Sequence, residues 1–189
     1  MRHVILTGEV GIGKSTVLER TLKLLDVRVE GIWTGTDAPR DAHEKTLYMR
    51  AYGDEATGCP FAQIPGADTV YAARCFDTVG VRLLRRARRL GELIVIDELG
   101  WLERGAVEYQ KELLAAFDGD VPVLAVLRQN RAEWADWIRK RPDAELLTVC
   151  RDNRNDLPEL AAGILRQQIQ RRDPVCLKEE EPLHYALGV

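Results

Sequence analysis

Cysteine is scarce: four residues, Cys59, Cys75, Cys150 and Cys176, are dispersed, with no pair at C-x-x-C spacing and no histidine cluster nearby. That excludes the spacings of a zinc site or a dithiol redox motif, and the four read as free thiols in a reducing compartment. Long apolar runs are missing too. Nothing approaches the roughly 20 residues that span a bilayer, and the apolar start, His3 to Leu6, is too short for a secretory signal. The excess of one charge is small, 30 acidic residues against 27 Lys and Arg for a formal −3. This weighs against bulk nucleic-acid binding, although a local basic face fits inside that sum. Internal repeats and low-complexity segments are absent. What is left is a cytoplasmic protein of 189 residues and 46% hydrophobic content, able to bury a substantial core without a partner. A monomer or weak homo-oligomer is expected.

Against these absences one stretch stands out. The apolar run ends in GEVGIGKST, Gly8 to Thr16, which fits the template G-x-x-x-x-G-K-[ST] at Gly8, Gly13, Lys14 and Ser15. Holding a polyphosphate without a covalent bond calls for successive backbone N–H groups aimed inward. Gly8, Gly11 and Gly13 permit that curvature, and Glu9, Val10, Ile12 and Thr16 complete the cradle. Lys14 supplies a point charge to the β- and γ-phosphates, Ser15 a hydroxyl ligand for Mg²⁺, and a helix opening at Lys14 the positive end of its dipole. The plainer alternative is a glycine-rich turn. It is disfavoured because a strand, Val4 to Leu6, precedes the motif, while Val17, Leu18, Thr21, Leu22 and Leu25 recur after it at helical spacing.

The second informative stretch is LIVIDELGWLE, Leu93 to Glu103. Four apolar residues bounded by charge predict a strand buried on both faces of a parallel sheet. An acid at the end of such a strand is where a P-loop enzyme orders Mg²⁺, so Asp97 is the candidate metal ligand and Glu98 the candidate for aligning the attacking water. Buried strands also end in surface acids for no catalytic reason, but an acidic pair following a phosphate loop favours the chemical reading. Position supports it, since ligands of open α/β sheets sit at the carboxyl ends of the strands.

Elsewhere the pattern alternates. Strands are predicted at Val27 to Thr34, Thr46 to Tyr52 and Cys59 to Ile64, the last two forming a hairpin around the turn residues Asp54 to Gly58. A helix is predicted from Asp77 to Leu90, capped by Asp77 or Thr78 and ended by Gly91. Further elements are a helix from Ala106 to Phe117, a strand from Val121 to Leu127, helical pattern from Arg131 to Lys140, a short strand from Glu145 to Val149 and a helix from Asp156 to Arg171. Five arginines between Arg82 and Arg89 offer either a docking patch or an arginine finger. A solvated helix face is the preferred alternative, because charge runs usually face water. Alternating strands and helices imply a mostly parallel sheet covered on both faces: a three-layer α/β P-loop domain over residues 1–172, with a β-hairpin excursion and a C-terminal tail over 173–189.

With both motifs placed, the chain resembles the small nucleoside triphosphatase family typified by thermophile enzymes and the human cancer-related nucleoside triphosphatase. The marks are the P-loop opening at Gly8, GIWT at Gly31 to Thr34, and IDELGWLE with Asp97, Glu98, Gly100 and Glu103 at the family's spacing. The resemblance implies a RecA-like sheet, in which the strand at Val121 to Leu127 separates the two motif strands. It also implies slow, base-tolerant hydrolysis of nucleoside triphosphates with Mg²⁺. Asn153 and Arg154 match the family's base-side segment by position, or else form a loop capping the last helix. Glu103 assists the water or metal, or caps the next helix. Leu127 departs from the polar residue common in the family, leaving Arg128 as its stand-in. Arg128 and Arg154 are the local candidates for stabilising charge on the γ-phosphoryl group. The competing expectations are a small nucleotide or metabolite kinase, with Arg139 to Arg141 in a basic lid, and a nucleotide-gated module binding RNA or protein.

Overall fold

The computed structural model describes residues 1–39, 41–54, 58–129 and 133–171. Seven strands form one sheet in the order β4-β3-β2-β5-β6-β1-β7. They are β1 (His3–Thr7), β2 (Val29–Gly35), β3 (Lys45–Ala51), β4 (Cys59–Ile64), β5 (Leu93–Leu99), β6 (Val123–Leu127) and β7 (Ala144–Thr148). The five strands from β2 to β7 in that order are parallel, and β3 and β4 extend the sheet antiparallel as the expected hairpin. Strand β6 lies between β5 and β1, the arrangement implied by the resemblance. Of the hairpin turn, residues 55–57 fall outside the described residues, as do Arg131 and Ala132 of the helical stretch and the whole tail over 173–189.

Alternation along the central strands builds two cores. Ile5, Ile94, Ile96, Val123 and Ala125 point to one face, where α3 (Val81–Leu90) and α4 (Val107–Asp118) cover them. Val4, Leu6, Leu93, Val95, Leu124 and Val126 point to the other, under α1 (Lys14–Lys23) and α6 (Leu157–Gln170). Each strand is thus buried on both sides, which is why its sequence reads as a continuous apolar run. The result is a three-layer α/β fold. None of the described helices is long and apolar enough to cross a membrane.

Two neighbouring inner strands, β2 and β5, leave no space for a side chain at one position. Gly31 of β2 pairs with Val95 of β5, and a Cβ at Gly31 would lie 1.9 Å from the Val95 carbonyl oxygen. Only glycine fits there, so the first glycine of VEGIWTG is a packing requirement of the sheet.

The helix expected from Asp77 begins earlier. A helix α2 (Thr69–Cys75) runs through a π-helical turn at Phe76–Gly80 into α3. Its cap is Asp68, whose Oδ1 accepts from the N–H groups of Val70 at 2.9 Å and Tyr71 at 3.0 Å. Asp77 instead accepts from the Tyr109 N–H at 2.9 Å, tying the turn to α4. The buried residues of the missed segment are mostly small, Ala72, Ala73 and Cys75 beside Phe76, while the larger apolar Val70 and Tyr71 are exposed, so its periodicity is faint. The segment from Arg131 to Lys140 is also shorter than expected, a 3₁₀ turn at Glu133–Ala135 followed by a four-residue helix α5 (Asp136–Arg139).

Candidate functional site

Chain geometry at the end of β1 follows from its glycines. Gly8, Gly11 and Gly13 all adopt positive φ, and Gly13, at φ 109°, is the residue from which α1 starts. Gly8 is needed for a further reason: a Cβ there would meet the Val149 carbonyl oxygen at 2.6 Å. The loop therefore rests against the segment leaving β7, where the Val149 N–H donates to the Thr7 carbonyl at 2.8 Å. The loop tip is open, with Val10 exposed. Inside the curl, Lys14 Nζ donates to the carbonyls of Gly8 at 3.1 Å and Glu9 at 2.8 Å. Burial lowers the Lys14 pKa, an effect that the nearby Glu98 carboxylate opposes.

The acidic pair arrives from β5. Ile96 pairs with Ala125 while Leu99 pairs with Leu127, so three steps along β5 match two along β6. The additional residue is a bulge at the acidic pair, a device that re-aims side chains at the end of a strand. Asp97 Oδ1 accepts from Ser15 Oγ at 3.2 Å, joining the two sequence motifs directly. Burial and the neighbouring Glu98 push the Asp97 carboxyl up to about 7.

Glu98 is partly exposed, and its Oε1 accepts from Nε of Arg128 just beyond β6. Arg128 is positioned in turn by its neighbours: its carbonyl accepts from Arg139 Nη2 at 2.7 Å, and its N–H donates to Leu99 O at 2.9 Å. Gly100 leaves room for its side chain, with Arg128 Cδ 3.3 Å from where a Cβ would stand. Thr34, the last residue of GIWT, holds the backbone of the acidic pair. Its Oγ1 accepts from the Glu98 N–H at 3.2 Å and lies 3.2 Å from the Asp97 carbonyl. This role was not read from the sequence. The GIWT string pointed to the position, but only the parallel pairing of Trp33 with Asp97 brings that threonine to the acids.

Beyond Glu98 a cleft of about 190 Å³ opens, lined by Thr34, Leu47, Phe61, Glu98, Trp101 and Arg128 among others. Glu103 borders it from below. Its side chain is buried, its Oε2 accepts from the Gly100 N–H at 3.1 Å, and burial pushes its carboxyl up to about 7. The start of α4 receives no side-chain cap, so Glu103 braces the loop after β5 instead. Asn153 lies on the opposite side of the site, in the loop after β7 that packs on Gly8. Its Oδ1 accepts from the Cys150 N–H and its Nδ2 donates to the Thr148 carbonyl, both at 2.9 Å. Its neighbour Arg154 is exposed. Of the α3 arginines, the partly buried Arg86 pairs with Glu30 at 3.0 Å, and Arg85 and Arg88, both exposed, pair with Glu112 at 2.8 and 3.0 Å.

The geometry brings Ser15 of the loop onto Asp97 and Lys14 close to Glu98, Arg128 and Asp97, while Glu98, Arg128 and Glu103 line the cleft and Asn153 and Arg154 sit in the loop after β7. A parallel sheet with a glycine cradle at one strand end and a hydroxyl-bonded aspartate at another defines an α/β protein of the P-loop class. Within that class the chain belongs to the NTPase family, whose model matches residues 3–162. It is 27% identical to the nucleoside-triphosphatase THEP1 of Natranaerobius thermophilus, over 88% of this chain and 98% of that protein. It is 30% identical to the nucleoside-triphosphatase THEP1 of Methanosarcina acetivorans, over 84% and 94% of the respective chains. In fold it is similar to the crystal structure of THEP1 from Aquifex aeolicus, with a TM-score of 0.68 at 23% identity, covering 86% of this chain and 98% of that one.

Proposed function

We propose that the protein hydrolyses the β–γ bond of nucleoside triphosphates, ATP and GTP among them, to the diphosphate and inorganic phosphate in a Mg²⁺-dependent reaction that is slow and tolerant of the base. The observation that carries the reading is the Ser15 to Asp97 hydrogen bond of 3.2 Å. It sets a hydroxyl and a carboxylate side by side, a hard oxygen pair of the kind Mg²⁺ takes alongside phosphate oxygens and water. Ser15 and Asp97 would hold the ion, which when bound offsets charge on the β- and γ-oxygens. The loop amides from Gly8 to Thr16 bind the phosphates, and Lys14 exchanges its two carbonyl partners for phosphate oxygens. Glu98 aligns a water against the γ-phosphorus and takes its proton as the new P–O bond forms and the bond to the bridging oxygen breaks. Arg128, already paired with Glu98, is the arginine placed to meet charge developing on the transferring group, whereas Arg154 is set apart on the other flank. Asn153 and Arg154 are proposed to border the nucleoside.

The direct test measures phosphate released from a panel of nucleoside triphosphates with and without Mg²⁺, in wild type and Glu98→Gln. The variant is expected to bind triphosphate while its turnover falls by about 10²–10⁴-fold, the usual range for losing a proton acceptor. Near wild-type turnover would remove Glu98 from that role. A second reading, phosphoryl transfer to a small acceptor, draws support from the cleft that opens beyond Glu98. Phosphate release that depends strictly on an added nucleoside monophosphate or metabolite would favour it.

A further inference from the structure

Two of the dispersed cysteines are brought together by the fold. Cys59 opens β4 and Cys75 ends α2, sixteen positions later in the sequence. Cys59 Sγ is 3.7 Å and Cys75 Sγ 3.9 Å from the same atom, the Pro60 carbonyl oxygen, and Tyr71 Oη approaches that oxygen at 3.3 Å. Burial raises the Cys75 pKa, a hydrogen bond with Tyr71 opposes the rise, and the neighbouring Cys59 thiol adds to it. Three donors thus compete for one carbonyl, which has two lone pairs. Removing both S–H groups would relieve that competition and leave the oxygen to Tyr71.

We propose that Cys59 and Cys75 form a reversible intramolecular disulfide, closed by exchange with a low-molecular-weight disulfide. Their exposures assign the order of attack. Cys59 is half-buried and reachable, while Cys75 is buried at 7% exposure. Cys59, as thiolate, attacks one sulfur of the external disulfide and releases the first small thiol after protonation. Cys75 then loses its proton, attacks the Cys59 sulfur of the mixed disulfide and expels the second small thiol. One external disulfide is reduced to two thiols as two cysteine thiols become one disulfide, so electrons and protons balance. The bond would staple β4 to α2 beside the cleft, because Phe61, two residues after Cys59, lines the cleft and packs against Phe76, next to Cys75, at 5.1 Å between ring centroids.

The test incubates the full chain with oxidised glutathione, blocks remaining thiols with N-ethylmaleimide and maps the peptides by mass. A peptide pair joined through Cys59 and Cys75 is expected, with the intact chain lighter by two hydrogens. Thermal unfolding should shift upward by about 5–10 °C, reversed by dithiothreitol, as expected for a closed loop of this length in a domain of this size. Cys59→Ser, at the more exposed position, should abolish both the link and the shift, as should Cys75→Ser if it folds. Arrest as a glutathione adduct on Cys59, full alkylation of both cysteines, or linkage of either one to Cys150 or Cys176 would overturn the proposal.

Discussion

Glu103 is the acid in the chain's middle that is shut away from water. Buried at 4% exposure, it has a folded pKa of about 7 against an ordinary 4.5. The folded state keeps this proton over a range of pH where the unfolded chain has given it up. The contribution to stability is therefore present below pH 4.5 and is lost as pH rises to about 7, a change of about 3 kcal/mol by linkage. Glu103→Gln keeps an oxygen for the Gly100 N–H and cannot titrate. Urea titrations from pH 4.5 to 7.5 should show wild type losing stability relative to the variant across that window, whereas parallel curves would mean that Glu103 ionises normally. Because Glu103 touches Gly100, which makes room for Arg128, the same variant also reports how stiffly the arginine facing Glu98 is held.

At the scale of elements, the joint between β2 and β5 leaves no room for a side chain at Gly31. Gly31→Ala would place a methyl 1.9 Å from a backbone carbonyl of the neighbouring strand, and a backbone group cannot swing aside as a side chain can. The cost is expected to exceed about 3 kcal/mol, the range of severe steric substitutions. A chemical melt of the variant measures it, and a loss below 1 kcal/mol would mean that the strands are less closely apposed.

Because Thr34 stands three residues on and holds Glu98, the same substitution should also disturb the acidic pair. This coupling explains what could be read in the chain alone. The cradle from Gly8 to Thr16 and the strand Leu93 to Leu99 were legible because each is a local pattern with one physical explanation. Arg128 was named only through the family resemblance and Thr34 was given no role, because both acquire their places from strand pairing, 30 and 64 residues from Glu98 respectively. The start of α2 escaped because its small buried residues leave almost no helical stripe, and Asp68 was indistinguishable in sequence from any other loop aspartate. The α3 arginines show the reverse case: a conspicuous charge run of which Arg85, Arg86 and Arg88 pair with acids of the same chain.

For the whole molecule, His3 joins distant parts. Its Nδ1 accepts from the Val123 N–H of β6 at 3.0 Å, while Nε2 lies 3.6 Å from an Asp143 carboxylate oxygen in the turn before β7. Burial, aided by Arg141 and Arg2 and opposed by Asp143, lowers its pKa to about 4. A neutral ring is thus built into the folded state. Its contribution is intact above the ordinary value of 6.5 and is lost as pH falls from there towards 4, by about 3 kcal/mol in full. His3→Asn should remove this part of the acid limb at some cost in stability at neutral pH. An unchanged slope between pH 6.5 and 4 would show that His3 protonates freely in the folded protein.

The order of the strands carries a consequence for synthesis. The strand that opens into the glycine loop is made before both of its lateral neighbours, β6 and β7, which come from residues 123–148. While the ribosome is still extending the chain towards β6, β1 has no edge to join, and an apolar segment waits for its partners to emerge. The Val149 backbone that braces Thr7 and Gly8 arrives only after Thr148 has left the exit tunnel, so the loop gains its support well after its own residues are made.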